Sequence, residues 1–113
     1  MIKPITEFET FILENVNYER ISKMTFDEYK GFVYDIFSKL NVWRNNGLKR
    51  EDVMSFVNEH YYNTLSSGAE QDVLFVRRFE SVIEEIYGGH HNFWSTTFGI
   101  YMEKWEKEFV IDW

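Results

Sequence analysis

Residues 25–47 read TFDEYKGFVYDIFSKLNVWRNNG, and this stretch decides the fold. Thr25 followed three residues later by Glu28 is a capping box, in which hydroxyl and carboxylate satisfy each other's free backbone N–H groups at a helix start. From there Tyr29, Phe32, Val33, Ile36, Phe37, Leu40 and Trp43 recur at three- and four-residue spacing on one side of a helix. Asp27, Glu28, Asp35, Ser38 and Lys39 fall elsewhere. Gly31 sits on the polar side, where it weakens the helix slightly without marking a core contact. Asn45-Asn46-Gly47 closes the element.

The same period extends in both directions. Toward the N-terminus, Ile5, Phe8, Phe11, Ile12 and Val16 predict a helix that Pro4 can start. Toward the C-terminus, residues 49–63 carry Val53, Phe56, Val57, His60 and Tyr61 on one side, and residues 64–68 read as a loop. Residues 69–87 place Val73, Val76, Phe79, Val82, Ile83 and Ile86 around one face, with Glu70, Arg77, Glu84 and Glu85 on the other. Gly88-Gly89 ends that helix, because glycine takes the left-handed conformation favoured there. Residues 93–109 present Trp94, Phe98, Tyr101, Met102, Trp105 and Phe109 at helical spacing, and only Phe109-Val110-Ile111 has strand character. The expectation is an all-α, single-domain bundle of about five helices over residues 1–113.

Composition narrows the function classes. The 113 residues include 22 aromatics (Phe 11, Tyr 7, Trp 4) and are 44% hydrophobic, enough apolar surface to offset chain entropy. No cysteine is present, which excludes disulfides, Cys-ligated zinc and a thiol nucleophile. The 19 acidic residues against 12 basic ones give a net charge of −7, the wrong sign for neutralising nucleic-acid phosphates. No apolar run suits a secretory signal or a membrane span, so no membrane partner is expected and the cytoplasm is the expected location.

Catalytic and metal signatures are missing from the sequence. His60 lies in the apolar stripe of its helix and reads as a boundary histidine packed on the core. His90-His91 are neighbours whose side chains diverge, and neither a His-Glu-x-x-His nor a Glu-x-x-His step is present. Placing Gly47 at an EF-hand turn puts Val42, Arg44 and Val53 where calcium needs oxygen ligands. The acidic doublets Glu51-Asp52 and Glu84-Glu85 diverge, and no phosphate loop or nucleophile elbow appears. Arg77 and Arg78 are spaced for intrahelical pairing with Glu80, Glu84 and Glu85. The chain therefore reads as a binding protein rather than an enzyme, with no metal and no cofactor.

Charge is unevenly placed. Residues 68–113 hold nine acids against four bases, so five of the seven net negative charges fall in the last two helices. Tyr34, Tyr62 and Trp113 lie outside the apolar stripes. Carboxylates that steer a basic partner beside rings that anchor it suit a protein interface. The partner-binding candidates are Glu80, Glu84, Glu85, Tyr87, Glu103, Glu106 and Trp113.

With its acids concentrated in residues 70–85 and 103–112 beside aromatics, the chain resembles, at the level of class, the small acidic helical immunity proteins of bacterial contact-dependent inhibition systems and nuclease colicins. That resemblance implies a basic nuclease toxin domain as partner, blocked sterically and electrostatically, and it carries no motif residues over. Phage-encoded inhibitors of bacterial defence, of the anti-CRISPR type, look similar in composition. Two readings of other classes stand beside it. One is a helical ligand-binding or enzymatic domain using His60 or His90-His91. The other is a self-associating module in which surplus aromatics face an identical subunit.

Overall fold

The computed structural model describes residues 3–88 and 92–109, and every regular element among them is helical. Six α-helices follow in order: α1 (Pro4–Asn15), α2 (Tyr18–Ile21), α3 (Phe26–Asn45), α4 (Arg50–Ser66), α5 (Val73–Ile86) and α6 (Phe98–Phe109). Short 3-10 turns at Ala69–Gln71 and Phe93–Ser95 precede the last two. The all-α bundle expected from the periodicity is the fold observed.

Helix α3 begins and ends as its sequence dictates. Glu28 donates its backbone N–H to Thr25 Oγ1 at 3.2 Å, and Thr25 donates its own to Glu28 Oε1 at 2.9 Å. That backbone donor, followed by the Thr25 hydroxyl, holds the Glu28 carboxyl below the usual carboxylate range. At the other end Gly47 turns to φ +106°, so that its N–H reaches Arg44 O (3.1 Å) and Leu48 N–H reaches Trp43 O (3.0 Å). This is a Schellman closure, and the buried Leu48 and Trp43 supply its apolar contact.

Helix α1 packs on α3 and α4, α4 on α5, and α2 on α5. One apolar cluster draws on all six helices through Phe8, Ile21, Phe37, Val57, Phe79 and Tyr101. Phe37 sits where elements meet, with ring centroids 5.7 Å from Phe93 and 5.3 Å from Tyr101.

Several boundaries differ from the sequence expectation. Residues 64–66 continue α4 rather than forming a loop, because Leu65 lies one turn beyond Tyr61 and extends the side packed on the core. The turn comes afterwards, where Gly68 adopts φ +105°. The expected helix over 69–87 is interrupted at Asp72, whose Oδ1 accepts the Phe75 N–H at 3.2 Å and restarts the chain as α5. Val73 is consequently the first residue of α5 and faces solvent (71% exposed), where the periodicity places it in the core. The segment 93–109 is likewise a 3-10 turn followed by α6. Helix α2 is an addition, started by Asn17, which accepts the Arg20 N–H at 3.0 Å. Gly89, His90, His91 and residues 110–113, including the strand-like Val110-Ile111 and Trp113, lie outside the described residues.

Side chains from α3 and α4 tie the end of α5 and the segment before α6 to the bundle. Arg44 donates to Phe93 O (2.5 Å), Thr96 O (3.0 Å) and Asn41 Oδ1 (2.8 Å), and its guanidinium lies 4.6 Å from the Phe93 ring centroid. Burial pushes its pKa down, although the carbonyls suit the charged form. Arg50 Nε donates to Tyr87 O at 2.6 Å, and Trp94 Nε1 to Ile86 O at 2.7 Å, so the last α5 carbonyls are satisfied by side chains. Gly88 lets the chain turn beside Trp94. At φ +82°, a Cβ added there would lie 2.9 Å from Trp94 Cδ1. Gly47 has the same sign of φ with nothing within 4 Å. Both Gly→Ala variants are expected to carry the left-handed backbone penalty, roughly 1–2 kcal/mol. Gly88→Ala must also displace the indole, so thermal melts should place its Tm below that of Gly47→Ala. Equal melting temperatures would show that Trp94 does not pack there.

Candidate protein-binding groove

Two helical ladders face each other across the α4–α5 seam. On α4, Asn58, Tyr61 and Tyr62 stand at i, i+3 and i+4; on α5, Glu80, Ile83 and Glu84 do the same, and Tyr87 follows one turn later. These seven residues line an open groove of about 350 Å³. None of them is basic.

The floor is aromatic. Tyr61 stacks on Phe79 with centroids 5.9 Å apart and planes 2° from parallel, and it meets Tyr62 edge-on at 5.3 Å and 76°. Tyr62 is 63% exposed. Burial raises the Tyr61 phenol above its ordinary range, and the adjacent Glu80 carboxylate, which accepts its hydrogen bond, raises it further. Tyr87 is raised as well, by burial first and then by the neighbouring Tyr62. Tyr61 on α4 and Tyr87 at the end of α5 are therefore protonated at neutral pH, and the Tyr87 hydroxyl donates to Met54 O at 3.4 Å. Outside the groove, Glu80 and Glu84 also border a shallow surface of α5 with Val73, Val76, Arg77 and Ser81. Val73 and Val76 thus add apolar side chains, and Arg77 a base, beside the two glutamates on this outer surface of α5.

The candidates from the sequence divide accordingly. Glu80, Glu84 and Tyr87 are brought together in the groove. Glu85 is not on that surface: it is 8% exposed, and Tyr101 Oη of α6 donates to its Oε2 at 2.8 Å. Adjacent residues on a helix point about 100° apart, so the flank that exposes Glu84 turns Glu85 beneath α6. Glu103 and Glu106 are exposed on α6, apart from the groove lining, and Glu103 Oε1 lies 3.7 Å from Lys107 Nζ. Trp113 is outside the described residues. Ile83, which the periodicity assigns to the core, also lines the groove, as do Asn58 and Tyr61, which the sequence does not mark as partner-binding. Their spacing with Tyr62 was a usable signal, but Tyr61 also fits the core stripe.

The remaining polar features belong to the interior. Arg78, expected to pair along its own helix, is 5% exposed; its Nη1 donates to Met24 O at 2.8 Å and its guanidinium lies 5.0 Å from the Tyr29 ring centroid. Tyr29 Oη in turn donates to Arg78 O at 2.6 Å. His60 is half-buried, stacked on Phe56 (6.2 Å, 3°) and edge-on to Phe79, with Nε2 2.6 Å from Val16 O. A carbonyl only accepts, so Nε2 carries the proton. Among the described residues no three His, Asp or Glu side chains gather as a metal site would require. No helix among them is long and apolar enough to cross a membrane. A second groove between α1 and α3 holds Phe11, Trp43, Glu7 and Glu14, but Lys39 lines it too and sits 5.7 Å from the Phe11 ring. There the chain supplies its own cation.

The chain matches no protein-family model, no curated protein and no solved structure.

Proposed function

We propose that this protein is an inhibitory binding protein of the immunity type, which engages a basic nuclease toxin domain through the α4–α5 groove. The observation that carries the reading is the convergence of Tyr61, Tyr62 and Tyr87 with Glu80 and Glu84 in one concave lining that holds no base. Carboxylates placed there attract the lysines and arginines that a nuclease uses on substrate phosphates. Rings that need little ordering provide the contact area. The exposed Val73 extends the surface with apolar contact. Once docked, the domain blocks phosphate access by occupying the same cationic residues. The clustering of negative charge in residues 68–113 supports a partner of opposite sign.

The test is titration calorimetry against basic nuclease domains encoded beside this gene, at low and high salt. Affinity should fall as salt rises, because the steering charges are exposed and screened. The double variant Glu80→Lys/Glu84→Lys should weaken binding by about tenfold or more, since like charges across an interface cost several kcal/mol. Nuclease cleavage should return in parallel. Negligible affinity for every such domain, or undiminished affinity in the charge-reversed variant, would end the proposal.

A further inference from the structure

We infer that the α4–α5 groove receives one arginine side chain of the partner, with its guanidinium against the tyrosine corner and its N–H groups on the Glu80 and Glu84 carboxylates. This deepens the proposed function and rests on it for the source of the arginine, but the groove's chemistry stands independently. Its size is the first argument. A volume of about 350 Å³ lies at the bottom of the range of roughly 300–1,000 Å³ typical of small-ligand sites, so it suits a side chain rather than a length of peptide.

Shape and donor inventory supply the rest. Tyr61 and Tyr62 form a corner at 76° to one another, and the Tyr62 ring, 63% exposed, is within reach of a planar cation. A guanidinium brings five N–H donors in a fixed fork and no acceptor. The lining answers with two carboxylates and the Asn58 amide oxygen. A phosphate or carboxylate ligand would face Glu80 and Glu84 directly and be repelled. An apolar side chain would strand those acceptors without water. Lysine offers a compact, strongly hydrated point charge that neither stacks nor forks, and so uses less of the site.

The protein itself uses this pairing elsewhere. Arg44 covers Phe93 at 4.6 Å and Arg78 covers Tyr29 at 5.0 Å, each while donating to oxygen acceptors. In the groove the rings and acceptors are present, but the lining contributes no cation. Arg77, one turn before Glu80 on α5, borders the outer surface shared by Glu80 and Glu84 and is not part of the groove lining.

The full chain, labelled with ¹⁵N, can be titrated with Nα-acetyl-argininamide and followed by NMR, with the citrulline and lysine analogues as comparisons. Saturable shifts confined to amides around residues 58–62 and 80–87 are expected with the arginine compound. The neutral citrulline isostere should bind about tenfold more weakly, because its hydrogen bonds lose their charge. Glu84→Gln and Tyr62→Ala, both at exposed positions that leave the core intact, should each weaken the arginine compound severalfold. Unsaturable shifts, equal binding of citrulline, equal binding of lysine, or unchanged affinity in both variants would each overturn the arginine assignment. These outcomes are separable from the immunity reading. Nuclease binding that is lost in the charge-reversed variant, with no saturable binding of the arginine compound, refutes only this inference, whereas arginine binding without any nuclease partner refutes only the other.

Discussion

Phe37→Ala is expected to lower the stability of the folded chain by about 3–5 kcal/mol, the range for deleting a buried phenylalanine. Phe37 is fully buried near the middle of α3, and its ring bridges to Phe93 before α6 and to Tyr101 within α6. Alanine removes the contact with both at once. Neither neighbour collapses easily into the space: Phe93 is held by Arg44 on its carbonyl and ring, and Tyr101 by its bond to Glu85. The cavity therefore persists, and it adds to the lost transfer energy. Domains of this size have a total stability of about 5–15 kcal/mol, so the loss takes a large share. Urea denaturation should show a lower midpoint with an unchanged slope, because the surface exposed on unfolding is nearly the same. Tyr34→Ala is the matched comparison. It lies on the same helix, one turn earlier and half exposed, and should stay within about 0.5 kcal/mol of the parent. Similar costs at both positions would mean that α3 does not present the face described.

Which parts of this architecture were legible follows from what each signal measures. Thr25 and Glu28 act on each other within one turn, so the start of α3 could be read without knowing its neighbours. Asp72 is equally local, but its capping bond to the Phe75 N–H was hidden inside a run whose apolar period continues through Val73 and Val76. A cap and a periodicity competed there, and the cap set the boundary. Glu84 and Glu85 show a different limit. Helical spacing places both away from the apolar centre of α5, yet which flank is covered depends on where α6 crosses, and Tyr101 is sixteen residues away in sequence. Tyr61 shows the complementary case, because it borders core and groove together: one face stacks on Phe79 while its edge lines the seam. Periodicity assigns such a residue to the core and does not register its second role. The acidic balance of the C-terminal part was visible at once, but the groove that focuses two of those charges beside three tyrosines requires α4 and α5 to pair.

Alkaline pH should unfold the protein cooperatively, and two buried phenols determine the sign. Tyr29 and Tyr101 are fully buried. Burial raises the Tyr29 pKa far above its ordinary value, with the Arg78 charge only partly opposing it. Burial raises Tyr101 too, and the Glu85 carboxylate adds repulsion to the phenolate and a hydrogen bond to the protonated form. In the unfolded chain both ionise near pH 10. The native state therefore retains protons that the unfolded state releases. This stabilisation is complete below about pH 10 and is lost as pH rises above it, at about 1.4 kcal/mol per pH unit for each tyrosine. Together the two remove about 3 kcal/mol per unit, enough to exhaust a stability of about 5 kcal/mol, the lower end for such domains, within roughly two units. Helical circular dichroism and phenolate absorbance at 295 nm, recorded along one pH series, should break at the same pH, the absorbance jump accompanying loss of helix. Tyr29→Phe sacrifices the hydrogen bond to Arg78 O, a neutral-pH cost of about 1 kcal/mol. It should nevertheless lower the alkaline slope by about 1.4 kcal/mol per unit, because one titrating phenol has gone. The interior assignment of both residues fails if all phenols ionise smoothly near pH 10 while the helical signal stays constant.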